Sequence, residues 1–185
     1  MLSEKEKCRL GMLYDANHDA DLLAERMQCK DICHNYNAIT PSHTQHRSDI
    51  LRQLLAKTGS EFTIEQPFFC DYGYNIEIGE NFFANFNCVM LDEAKISFGD
   101  NVFIAPNCGF YTAGHPLDVE QRNRGLEYAR PIHVGNNVWI GANVCVLPGV
   151  SIGDNCVIGA GSVVNKDIPS GTLAAGNPCR VIRQL

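Results

Sequence analysis

Nowhere does the chain hold an apolar run approaching the roughly 20 residues that cross a bilayer. Its first residues, Met1 to Arg9, mix acids with bases and offer no apolar stretch of the kind that directs secretion. A cytoplasmic protein is therefore expected, with no membrane partner. An excess of positive charge is also missing: 15 Lys and Arg against 21 Asp and Glu leave a formal net charge of -6, which argues against a nucleic-acid or anionic-membrane surface. No Cys-x-x-Cys pair occurs among the nine cysteines. An odd count without that spacing disfavours both a disulfide framework and a zinc site, so free thiols and no metal are expected. Cys29 and Cys33 fall one helical turn apart beside His34, where a packed helix face is the expected reading over a metal pair. The triplet Gly159-Ala160-Gly161 is no nucleotide fingerprint, because Val164 stands where the third glycine belongs and no helix follows.

What is present is a repeat. Val134, Ile140, Val146, Ile152, Ile158 and Val164 return at every sixth position, and glycine follows at Gly135, Gly141, Gly153 and Gly159. The spacing is not helical, and the places between do not alternate as a half-buried strand would, since Asn136 stands two places after Val134. A period of six fits a parallel β-helix with three flat faces per coil, the aliphatic residue pointing into a narrow prism that admits only modest side chains. Coils would stack about 4.8 Å apart, backbone bonded to backbone. A sandwich of short strands is the competing reading, but six consecutive hits in one register favour the coil. Ile78-Gly79 and Phe98-Gly99 open earlier coils of the same kind.

With 185 residues, one domain of ordinary size and a small appendage are expected. Residues 1–58 read as a helical unit. Ser3 and Glu6 have capping-box spacing before a short helix expected to reach Tyr14. Leu22, Cys29, Ile32, Cys33 and Tyr36 mark a second helix, and Ile50, Leu51, Leu54 and Leu55 a third that should stop at Gly59. Residues 59–185 read as the β-helix, interrupted over 112–131 by a polar excursion too long for a corner. Function is expected on that excursion. The basic end, with Arg180 and Arg183, reads otherwise as a terminal cap.

Tyr111-Thr112-Ala113-Gly114-His115-Pro116 and Asn137-Val138-Trp139-Ile140-Gly141, with the hexapeptide coils and the helical N-terminal unit, resemble the sugar O-acetyltransferases of the left-handed β-helix superfamily. Cys70-Asp71-Tyr72-Gly73-Tyr74-Asn75-Ile76 and Phe83-Ala84-Asn85-Phe86-Asn87 are most similar to the maltose acetyltransferase branch; the galactoside branch tends to have Ser where Asp71 stands. The resemblance implies a mainly β fold, the left hand of the helix, acetyl-CoA as co-substrate, and a homotrimer with active sites between subunits.

Transfer of an acetyl group from a thioester to a sugar hydroxyl needs a base, since an alcohol does not ionise unaided at neutral pH. The resemblance gives that role to His115, with Glu127 holding its second ring nitrogen and setting the tautomer. Asn85 and the backbone N–H of Ala142 would meet the charge that grows on the carbonyl oxygen. Asp15, Arg26, Asp71, Asn85 and Asp92 fall at positions that contact the acceptor in relatives. Asn17 competes with Asp15, and Glu93 shares the neighbourhood of Asp92. Ala142 and Ala160 would bond the pantetheine arm of coenzyme A through their backbones. Asn165, Lys166, Arg180 and Arg183 would meet its phosphates, where arginine is the better fork. Only His115 and His133 lie in the β region, too few for a three-imidazole zinc enzyme. Galactoside, serine and antibiotic acceptors remain open within the superfamily, and a non-catalytic scaffold outside it.

Overall fold

The computed structural model describes residues 2–185. Three runs of parallel strands build a prism, and the chain visits the faces in a fixed order, turn after turn. On one face Phe98, Val134 and Ile152 stand in register. On the second Ala84, Ile104, Ile140, Ile158 and Ala174 do so, and on the third Cys70, Met90, Phe110, Val146 and Val164. All point inward and are buried. The six aliphatic positions read from the sequence thus fall on the three faces in rotation, twice over. Each fully buried Ile or Phe contributes roughly 1.5–3 kcal/mol by leaving water.

The interior is wider at its start than expected. Phe68, Phe82, Phe98 and Phe110 are all buried, with Phe98 meeting Phe82 at 5.1 Å and Phe110 edge-on at 5.0 Å between ring centroids. Bonds between stacked corners span 20 residues in these coils, 18 further on and 16 at the end. A longer perimeter makes room for aromatic rings, and the later coils close on Val, Ile and Ala.

Corners are made by asparagines in the left-handed region, Asn81, Asn101, Asn137 and Asn155 among them, with φ between 53 and 56°. Their side chains form a ladder: Asn81 donates to Asn101, Asn101 to Asn137 and Asn137 to Asn155, at 2.9–3.2 Å. Glycine is required at Gly141, where a Cβ would lie 2.6 Å from the backbone nitrogen of Ala160.

Helices α1 (Glu4–Arg9), α2 (Ala20–Ala38) and α3 (Thr44–Leu54) precede the coils. The capping box at Ser3 and Glu6 is formed. The first helix stops well short of Tyr14, however, because Gly11 turns the chain at φ +68° and Tyr14–Asp15 leaves as a strand. Helix α3 likewise ends at Leu54, before Gly59. Cys29, Cys33, Tyr36, Leu51, Leu54 and Leu55 join Ile64 and Phe68 in one continuous core, so α2 and α3 close the wide end of the prism. At the narrow end Arg180–Gln184 folds back antiparallel on Thr172–Ala175. All nine cysteines are free, and among the described residues no helix is long and apolar enough to cross a membrane.

Candidate active site

The excursion after Thr112 is an ordered structure. Ala113–Gly114 pairs antiparallel with Leu126–Ala129, the short helix α4 (Val119–Asn123) lies between them, and Tyr14–Asp15 adds a third strand on the other side, Tyr14 opposite Glu127 and Asp15 opposite Leu126. Asn17 Nδ2 bonds the carbonyl of Gly125 at 2.9 Å. The helical unit and the excursion are therefore one sheet, which brings Asp15, His115 and Glu127 together from opposite ends of the sequence.

His115 follows that hairpin with its side chain half exposed. Its Nδ1 lies 3.0 Å from the carbonyl oxygen of Leu126. A carbonyl only accepts, so this bond puts the proton on Nδ1 and leaves Nε2 with a lone pair. The sequence reading gave the second ring nitrogen to Glu127; the backbone of Leu126 holds it instead. The Glu127 carboxylate is buried, faces Nε2 at 3.9 Å and receives the Tyr14 hydroxyl at 3.2 Å. Burial, with the thiol of Cys8 and the carboxylates nearby, pushes Tyr14 upward, so it stays a neutral donor.

The acids divide. Asp92 was expected to touch the acceptor, and it cannot: its exposure is 0%, and it accepts the N–H groups of Asp71, Tyr72 and Asn75 at 3.0, 2.8 and 3.3 Å. It ties the corner at 71–75 to the next coil. Burial pushes it up to about 6 despite those three donors. Glu93, beside it, accepts the Thr112 hydroxyl at 3.3 Å, and burial together with the nearby carboxylates of Asp71 and Glu127 pushes it well above the usual carboxylate range. Asp71 stays partly open. Burial raises Asp15, but the His18 ring and the N–H groups of Asn17 and His18 outweigh it and hold Asp15 low. Arg26 spends a donor on the carbonyl of Ala16, fixing the loop that carries Asp15.

A cavity of about 490 Å³ opens between α1 and this corner, lined by Lys5, Arg9, Tyr14, Tyr72, Glu93 and Arg130 among others. The Tyr72 hydroxyl is buried there without a partner. Neither tyrosine was given a role from the sequence, Tyr14 being read as the end of a helix and Tyr72 only as part of a family motif, and a backbone acceptor such as that of Leu126 has no residue code at all.

Asn85 lies elsewhere. It follows the strand Phe82–Ala84, whereas Asp71, Asp92 and Thr112 follow the strands of the next face. A full face separates the Asn85 corner from the corner that launches His115. The Asn85 side-chain oxygen accepts the N–H of Phe86 at 2.8 Å, leaving its amide nitrogen for a ligand. Ala142 and Ala160 occupy the same corner on adjacent coils. The carbonyl of Ala142 accepts from Gly161 at 2.8 Å, while its N–H, and both polar groups of Ala160, have no backbone partner among the described residues. The expected use of Ala142 thus narrows to its N–H. Arg180 Nη1 reaches Asn165 Oδ1 at 3.4 Å, and Lys166 and Arg183 stand exposed near that end.

Comparison with known proteins agrees with this architecture. Residues 7–59 match the maltose acetyltransferase hexapeptide capping motif, and residues 131–166 match the bacterial transferase hexapeptide, six repeats. A putative acetyltransferase of Saccharomyces cerevisiae is 58% identical over 175 residues, 95% of this chain and 89% of the relative. The crystal structure of a maltose O-acetyltransferase from Clostridium difficile 630 superposes with a TM-score of 0.97 at 53% identity, covering 100% of this chain and 98% of that one. A galactoside acetyltransferase in complex with coenzyme A gives 0.96 at 43% identity, with 100% and 92% covered. The fold class read from the sequence, a left-handed parallel β-helix with a small helical N-terminal unit, stands, and the chain belongs to the maltose and galactoside O-acetyltransferase family of hexapeptide-repeat acetyltransferases.

Proposed function

We propose that the protein transfers the acetyl group of acetyl-CoA to a hydroxyl of a maltose- or glucose-like sugar, with His115 as general base. The observation that carries this is the bond from His115 Nδ1 to the carbonyl of Leu126, which aims an unprotonated Nε2 outward. Nε2 takes the proton of the acceptor hydroxyl as its oxygen attacks the thioester carbonyl. Charge collects on the carbonyl oxygen, where the Asn85 amide and the Ala142 N–H donate. The C–S bond then breaks, and the departing thiolate recovers the proton from Nε2. Glu127, 3.9 Å from that nitrogen, steadies the imidazolium between the two transfers. No step requires a metal.

Asp15, Asp71 and Glu93 offer bonds to acceptor hydroxyls, with Arg26 fixing the first. The arm of coenzyme A would lie along the Ala142 and Ala160 corner, its phosphates toward Asn165, Lys166, Arg180 and Arg183. The separation of Asn85 from His115 favours a site completed by a neighbouring subunit of a homotrimer. Outward-facing Phe103 and Trp139 on adjacent coils, 42% and 57% exposed, suit the flank of such an assembly. Nine free thiols suit the reducing cytoplasm, where acetyl-CoA is also at hand.

Thioester consumption, measured with maltose, glucose and a galactoside present and absent, tests the reading. His115→Ala should lose about 10²–10⁴-fold in kcat while remaining folded and still binding coenzyme A. Thioester loss independent of any sugar, or a variant as fast as the parent, would sink it.

A further inference from the structure

The expectation of no metal rests on cysteine spacing along the chain, and folding changes that spacing in space. Cys29 and Cys33 project from successive turns of α2. Cys70 ends the strand Phe68–Cys70, against which that helix packs. Their three Sγ atoms all lie within 4.8 Å of one another; Cys70 Sγ is 3.5 Å from that of Cys29 and 3.8 Å from that of Cys33. The residues are only 2, 2 and 4% exposed, and no disulfide joins them. Two thiolates on one metal at about 2.3 Å stand about 3.8 Å apart for tetrahedral geometry. The observed separations are close to that figure. Cys88 and Cys156, by contrast, sit in the solenoid outside any such group of three.

We infer that Cys29, Cys33 and Cys70 form a three-thiolate site for a thiophilic divalent cation, zinc, at the joint between α2 and the first coil. Beside it opens a cavity of about 460 Å³ whose walls include Cys33 and Cys70 as well as Lys30, His34 and Asn37. This is an entry path, and it leaves room for a water as the fourth ligand. Binding exchanges three thiol protons for one Zn²⁺: three S–H bonds break, three Zn–S bonds form, and three protons leave to solvent. The site then carries one net negative charge, with the Lys30 ammonium on the same cavity wall. A cuprous ion on the same three thiolates would bury two, at greater desolvation cost. The metal would clasp the helical unit to the coil and fix the backbone that leads directly into Asp71.

The test uses the full chain, reduced and stripped with a chelator, then titrated with Zn²⁺ against a chromophoric competitor and, separately, with Co²⁺. The expected result is one tight equivalent per chain, intense thiolate-to-cobalt charge-transfer absorption, and a thermal midpoint raised by zinc. Cys70→Ala should weaken binding by more than the roughly 10–100-fold that loss of an outer partner costs and remove the zinc-dependent rise. Cys88→Ala should keep both. Where circular dichroism shows Cys70→Ala unfolded, Cys33→Ala replaces it. Absence of a tight equivalent in the parent chain overturns the proposal whatever the variants do, and so does a tight equivalent that survives loss of a cluster cysteine. Because binding and melting are read without acetyl transfer, failure here is distinct from failure of the enzymatic reading.

Discussion

At the scale of single residues, identity in the sequence and role in the structure part company where the partner is backbone. His115 could be picked out from its Gly-His-Pro setting, but nothing in the sequence announces that a carbonyl would hold its Nδ1. Asp92 and Glu93 look interchangeable on paper. In the fold one is a sealed acceptor for three amides, and the other lines a cavity and accepts the Thr112 hydroxyl. Asp92→Ala should leave those three N–H groups buried and unpaired, costing about 3 kcal/mol or more. Asp92→Asn, which keeps one acceptor oxygen, should cost less. Urea unfolding of the two variants checks this, and a loss below about 0.5 kcal/mol for Ala, the range of ordinary surface changes, would contradict it.

At the scale of elements, the solenoid was legible because one side-chain type recurs at one spacing, and each later coil is bought from the same six-residue pattern. The early coils were harder to read, since their longer perimeter admits phenylalanine and breaks the six-residue count. The excursion was recognised as an interruption but not as a three-stranded sheet. Its partner strand, Tyr14–Asp15, lies more than 100 residues away, and two residues are too few to show a period. The asparagine ladder allows a sharper experiment. Asn137 holds φ +55° and bonds along the stack. Asn137→Gly keeps the backbone angle and loses the ladder, whereas Asn137→Ala loses both. Alanine should therefore be the less stable of the two by about 1–2 kcal/mol, read from thermal or denaturant midpoints. Equal stability would mean that the corner relaxes.

At the scale of the whole molecule, sequence alone could suggest shared sites only by resemblance, whereas the fold gives a physical reason: Asn85 and His115 belong to different corners. If neighbours complete each other's sites, chains carrying His115→Ala and chains carrying Asn85→Ala, each nearly inactive alone, should recover activity when assembled together. In randomly mixed closed rings about a quarter of the junctions would unite an intact histidine with an intact asparagine. Turnover after co-refolding, compared with each variant refolded separately, measures this; no recovery would put both residues in one chain's site. The two ends of the prism matter as well. A rod of identical rungs has open strand edges and could in principle lengthen into a fibre by adding another rod at either tip. Here α2 and α3 plug one tip and the reversed segment Arg180–Gln184 seals the other. Axial growth is thereby discouraged.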